Sequence, residues 1–131
     1  MSRRAGIVGV GLIVALTAAS TAGAQTHVGK NVEGGMHWAV SAPQGASWLL
    51  TCRFPPVTYW ESAYDQHHWI NKLERPGEGS DRGRLPLNVG HCHVTKTGGR
   101  GPVGIAIVRE PREIRAEGTA ATGRRIGVGF L

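Results

Sequence analysis

The residues with the clearest chemical potential are His91-Cys92-His93. On a strand, positions i and i+2 share a face, so both imidazoles project together while Cys92 points the opposite way. Such a pair can supply two ligands to zinc or copper. A third ligand would have to come from His67, His68 or His37, or from a carboxylate such as Asp65 or Glu61. The competing reading is plainer: two histidines on the solvent face of a strand whose other face holds a cystine.

Cys52 and Cys92 are the two cysteines of the chain. In a small exported domain an even pair reads as a disulfide, with free thiols or metal ligands as the alternative. A bond across that separation should contribute about 4 kcal/mol in the chain-entropy account. It would also remove both thiolates from nucleophilic chemistry.

A second candidate is the aromatic stretch from Phe54 to Trp69, which also holds Pro55, Pro56, His67 and His68. Aromatics beside prolines can form a platform for a sugar ring or a partner side chain. Tyr59 and Trp60 are the expected exposed pair, whereas periodicity assigns Trp48 and Trp69 to the core. Catalysis has no comparable signature. Gly79-Ser80-Asp81-Arg82-Gly83 matches a nucleophile elbow in composition but lacks the strand-to-helix setting. Glu61 and Asp65 near His68 could serve acid–base work, although helically spaced charges more often mark a solvated face.

Compartment follows from the N-terminus. Arg3 and Arg4 precede an uncharged run from Ala5 to Leu16, and small residues end at Ala22-Gly23-Ala24. This is the order of a cleavable signal peptide, residues 1–24, leaving Gln25 first in a domain of residues 25–131. Ser2-Arg3-Arg4 hints at twin-arginine export, but Gly6 stands where an apolar residue is wanted, so general secretion is favoured. The apolar run is too short for a membrane helix, and no second one follows. The expected location is secreted or periplasmic.

The net charge of +6 includes Arg3 and Arg4, so the domain carries nearer +4 (6 − 2). Its arginines are dispersed, and no nucleic-acid recognition motif accompanies them. Weak attraction to anionic envelopes or polysaccharides is what such a balance favours.

Frequent glycines and prolines between short alternating segments predict a mainly β fold, an antiparallel sandwich or barrel-like domain. Strands are expected at residues 36–40, 47–54, 87–97, 102–109 and 124–130. Pro55-Pro56 should end the second of these. One short helix is expected over 62–73, from Ser62 as cap and the Trp69, Ile70, Leu73 stripe. A polar, glycine-rich loop should follow from Glu74 to Arg84. The expected function is non-catalytic: binding a protein or polysaccharide, or acting as an envelope component or inhibitor, with no cofactor. A metal-binding protein or metalloenzyme built on His91 and His93 is the alternative.

Overall fold

Period-2 alternation puts Trp48, Leu50, Cys52 and Phe54 on one side of a strand, and all four are buried. The same rule buries Trp38 and Val40, Val103, Ile105 and Ile107, and Cys92 and Val94 on three further strands. The computed structural model, which describes residues 26–32, 34–61 and 66–131, assembles these faces into two sheets. The strands among the described residues are β1 (Thr26–His27), β2 (His37–Ser41), β3 (Ser47–Glu61), β4 (Gln66–Glu78), β5 (Asp81–Arg84), β6 (Gly90–Gly98), β7 (Val103–Arg109), β8 (Glu113–Thr119) and β9 (Arg125–Phe130). One sheet runs β1-β4-β3-β6-β9 and the other β5-β2-β7-β8. All pairings are antiparallel except β1 with β4. The inward residues of both sheets form one core, giving a mainly β, sandwich-like arrangement.

The bond joining Cys52 to Cys92 forms as expected, and both sulfurs are fully buried. The two cysteines are also register partners, directly opposed on β3 and β6. The cystine therefore locks two neighbouring strands of one sheet.

Two tryptophans lie over glycines of the strands beside them. Trp48 is paired with Gly77, and a Cβ there would fall inside the indole; its Nε1 donates to the Gly79 carbonyl at 2.8 Å. Trp38 is paired with Gly83, where a Cβ would come within 2.6 Å of the ring. Each inward glycine makes room for a ring that no single alternating segment could bury.

Several expectations fail here, each for a physical reason. The helix over 62–73 is not formed: Gln66 to Leu73 belong to β4, while 62–65 lie outside the described residues. Long-range pairing with β3 overrides the local helical stripe. Pro55-Pro56 do not end β3. They fall where pairing to β4 is already broken, between Arg53↔Lys72 and Val57↔Ile70, so a missing ladder donor is tolerated. Trp69 is not a core residue but 40% exposed. The loop proposed for Glu74 to Arg84 is instead the end of β4 and all of β5, held by Arg75 donating to Asp81 at 2.7 Å. The unforeseen β8 pairs along β7 and keeps almost no buried surface. The signal peptide of residues 1–24 also lies outside the described residues.

Lys96 is the one charged residue buried among the described residues, at 4% exposure, and its ammonium donates to the Ala120 carbonyl at 3.1 Å. Its stem therefore acts as core packing. We expect Lys96→Met to stay within about 1.5 kcal/mol of the parent. Lys96→Ala should lose about 3 kcal/mol through the missing methylenes. Urea unfolding of both variants checks this; equal losses would show that the charge, not the stem, matters.

Candidate functional site

Because Cys52 and Cys92 point inward, their neighbours Thr51, Arg53, His91 and His93 face solvent on the five-stranded sheet. Register then aligns residues that are far apart in the chain. One cross-strand row reads Lys72, Arg53, His91, Gly129. The next reads Glu74, Thr51, His93, Gly127. The two imidazoles meet edge to face with centroids 4.9 Å apart.

The two glycines on β9 are what let these rings lie where they do. A Cβ on Gly129 would stand 2.6 Å from His91 Cβ, and one on Gly127 would run into the His93 ring. Beyond β9, the edge of the other sheet approaches through side chains rather than a backbone ladder. Arg115 donates to the Gly129 carbonyl at 3.2 Å, and Glu117 accepts from the Gly127 N–H at 3.2 Å. Arg109 donates to the carbonyls of Asn88 and Leu131. The Arg109 and Arg115 guanidiniums lie 4.3 and 4.8 Å from the centroid of Phe130.

Arg125 approaches His93 Nδ1 at 3.1 Å. A guanidinium can only donate, so Nδ1 accepts and the proton of the neutral ring resides on Nε2. Burial, then the cations Arg125, His91 and Arg53, hold the His93 pKa below the ordinary imidazole value. A second proton must go to Nδ1 and displace Arg125. Because the folded pKa is depressed, the unfolded chain protonates first as pH falls, so His93 costs stability below its ordinary pKa. Arg125→Ala should raise the His93 pKa, read from the ring resonances in an NMR pH titration. An unchanged midpoint would mean that Arg125 does not engage the ring in solution.

Two grooves flank His91. One, of about 400 Å3, is bounded by His91, His93, Arg115 and the β9 glycines. The other, of about 480 Å3, lies between Arg53, Pro55, Val89 and His91. Gly90, His91, Phe130 and Leu131 border both. A larger groove of about 640 Å3 borders Ser41–Pro43, Pro102–Gly104 and Gly118–Ala120 on the other sheet, but none of its lining residues is charged.

The remaining residues singled out by sequence scatter. His68 and His67 pair with Tyr59 and Trp60, whereas His91 pairs with Arg53. At ~3.3 Å per residue that sets them roughly 20 Å or more further along β3. His37 lies on β2, in the other sheet. The side chains of Tyr59, Trp60, Glu61 and His67, and the whole of Asp65, lie outside the described residues. Among the described residues no group of three or more His, Cys, Asp and Glu could hold a metal ion. Ligation through His93 would require it to release Arg125 or the Nε2 proton. Sequence reasoning missed Arg53, Arg115 and Arg125 as members of the His91–His93 site. Arg53 could have been found, since it alternates with Cys52 exactly as the histidines alternate with Cys92.

No protein-family model, curated protein or solved structure matches this chain.

Proposed function

We propose that this chain is a small exported, non-catalytic binding protein whose partner is an acidic polysaccharide. The partner docks on the solvent face of the five-stranded sheet, across β3, β6 and β9. The observation that carries the reading is the composition of that face. Arg53 and His91 stand in one row, His93 with Arg125 in and beside the next, and Arg115 reaches in from β8. Phe54, Val128 and Phe130 also border these grooves, with their side chains turned mainly toward the core. Cationic groups around shallow open grooves suit a polymer of sugar rings bearing negative charge. Export is supported by the signal-like N-terminus, and the disulfide is consistent with an oxidising compartment.

The test is electrophoresis through native gels containing polygalacturonate, dextran sulfate or neutral dextran. Retardation is expected in the two acidic gels and should weaken with salt. Because net positive charge alone slows a protein in an anionic gel, charge-matched variants decide the matter. Arg53→Ala/Arg125→Ala should abolish most of the retardation, and Arg100→Ala/Arg112→Ala, altered at exposed sites elsewhere, should not. Equal behaviour of the two double variants would defeat the proposal.

A further inference from the structure

We infer that the two grooves flanking His91 form a single subsite for a tetrahedral oxyanion, a phosphate or sulfate ester, held by Arg53, His91, His93 and Arg115. This deepens the reading above and rests on it only for the glycan that carries the ester.

Continuity is the first argument. The grooves share Gly90, His91, Phe130 and Leu131, so they are two arms of one depression bent around the His91 ring. Arg53 borders the arm on the β3 side, and Arg115 borders the arm on the β8 side. Between them stand the two imidazoles, 4.9 Å apart. Four side chains thus reach the depression from three strands.

Donor chemistry is the second. Arg115 gives one N–H to the Gly129 carbonyl, out of the five that a guanidinium carries. The Arg125 contact leaves His93 with its Nε2–H as a donor. A planar carboxylate is satisfied by one guanidinium fork. Guanidiniums bordering the two arms, with imidazoles between them, offer more donors than a planar group uses and match a group with three or four oxygens. The glycines matter again here: lacking Cβ atoms, Gly127 and Gly129 leave room for the His93 ring and for His91 at the border of the depression.

The surrounding charges are accounted for. Lys72 and Arg53 face the site from β4 and β3, and Arg125 from β9. Of the carboxylates, Glu117 accepts from the Gly127 N–H, Glu113 accepts from Arg109, and Glu74 lies two strands from His93 in its row. Cations outnumber carboxylates around the rings. Binding an oxyanion should favour a further proton on His93, so affinity should rise as pH falls through its titration.

The experiment is an NMR titration of the protein with inorganic phosphate, inorganic sulfate and acetate at two pH values, either side of the His93 midpoint. We expect saturable shifts at the His91 and His93 rings and at the Arg53 and Arg115 side chains with phosphate or sulfate, tighter at the lower pH, and no saturation with acetate. Phosphate binding more tightly than sulfate would assign a phosphate ester, and the reverse a sulfate ester. Arg53→Gln, an exposed position, should weaken binding about tenfold. His91→Gln gives an independent second reading if the first variant folds poorly. Non-saturating shifts, or unchanged affinity in both variants, would overturn the inference. Retardation by polygalacturonate without an oxyanion response would sink this subsite while leaving polysaccharide binding intact. A saturable oxyanion site in a protein that no acidic polysaccharide retards would do the opposite.

Discussion

Trp48→Ala is expected to cost about 3–5 kcal/mol, a large part of the stability of a domain this small. The indole is 1% exposed, sits on the inner face of β3, and donates from Nε1 to the Gly79 carbonyl. Truncation therefore removes a large buried ring and leaves that carbonyl without its indole donor. The contact with Gly77 makes a sharper test possible. Gly77→Ala alone should destabilise the protein, because its Cβ would enter the ring of Trp48. In the Trp48→Ala background that clash is absent, so the second substitution should be close to neutral. The double variant should thus be markedly less destabilised than the sum of the singles. Thermal unfolding followed by far-UV circular dichroism reads all three, and simple additivity would show that the ring does not lie on Gly77.

Cys52→Ala/Cys92→Ala should lose about 4 kcal/mol, from the 40-residue separation that the bond closes. The position of the bond adds a second consequence. Cys52 and Cys92 oppose one another on β3 and β6, one residue from Arg53 and from both histidines. Without the bond, the β3–β6 register that aligns Arg53 with His91 rests on backbone pairing and packing alone. Both sulfurs are fully buried, so a reductant should act on the native protein only as fast as it opens. The measurements are guanidinium unfolding of the double variant and the rate of reduction of the parent with and without denaturant. A loss below about 1 kcal/mol, or rapid reduction in native buffer, would contradict this account.

Strands were legible wherever one face is buried and the other wet. β2, β6, β7, β9 and the first half of β3 carry that period of two, and each lies close to its expected range. β4 was misread because Ile70 and Leu73 are both inward, a spacing of three that imitates a helix. The spacing spans the irregular stretch opposite Pro55-Pro56, where the two strands pair out of step. β5 was misread because its inward residue is Gly83, which signals a loop in sequence and a seat for Trp38 in the fold. β8 has no apolar face to read. Ile114 is 66% exposed, and the segment is a strand only because β7 offers it a ladder.

The pairing of two cysteines and the common face of His91 and His93 were determined by the sequence itself. Both depend on local facts: there are two thiols, and side chains alternate along a strand. Which cations join the histidines was decided largely in three dimensions. Arg53 follows from its neighbour Cys52, but Arg115 and Arg125 come from β8 and β9, and nothing local predicts the arrangement that brings them beside β6. The same holds for the glycines. In the sequence Gly127 and Gly129 are merely alternate residues of a C-terminal strand. In the fold they are the floor beneath two imidazoles, because sheet pairing puts them where no Cβ would fit.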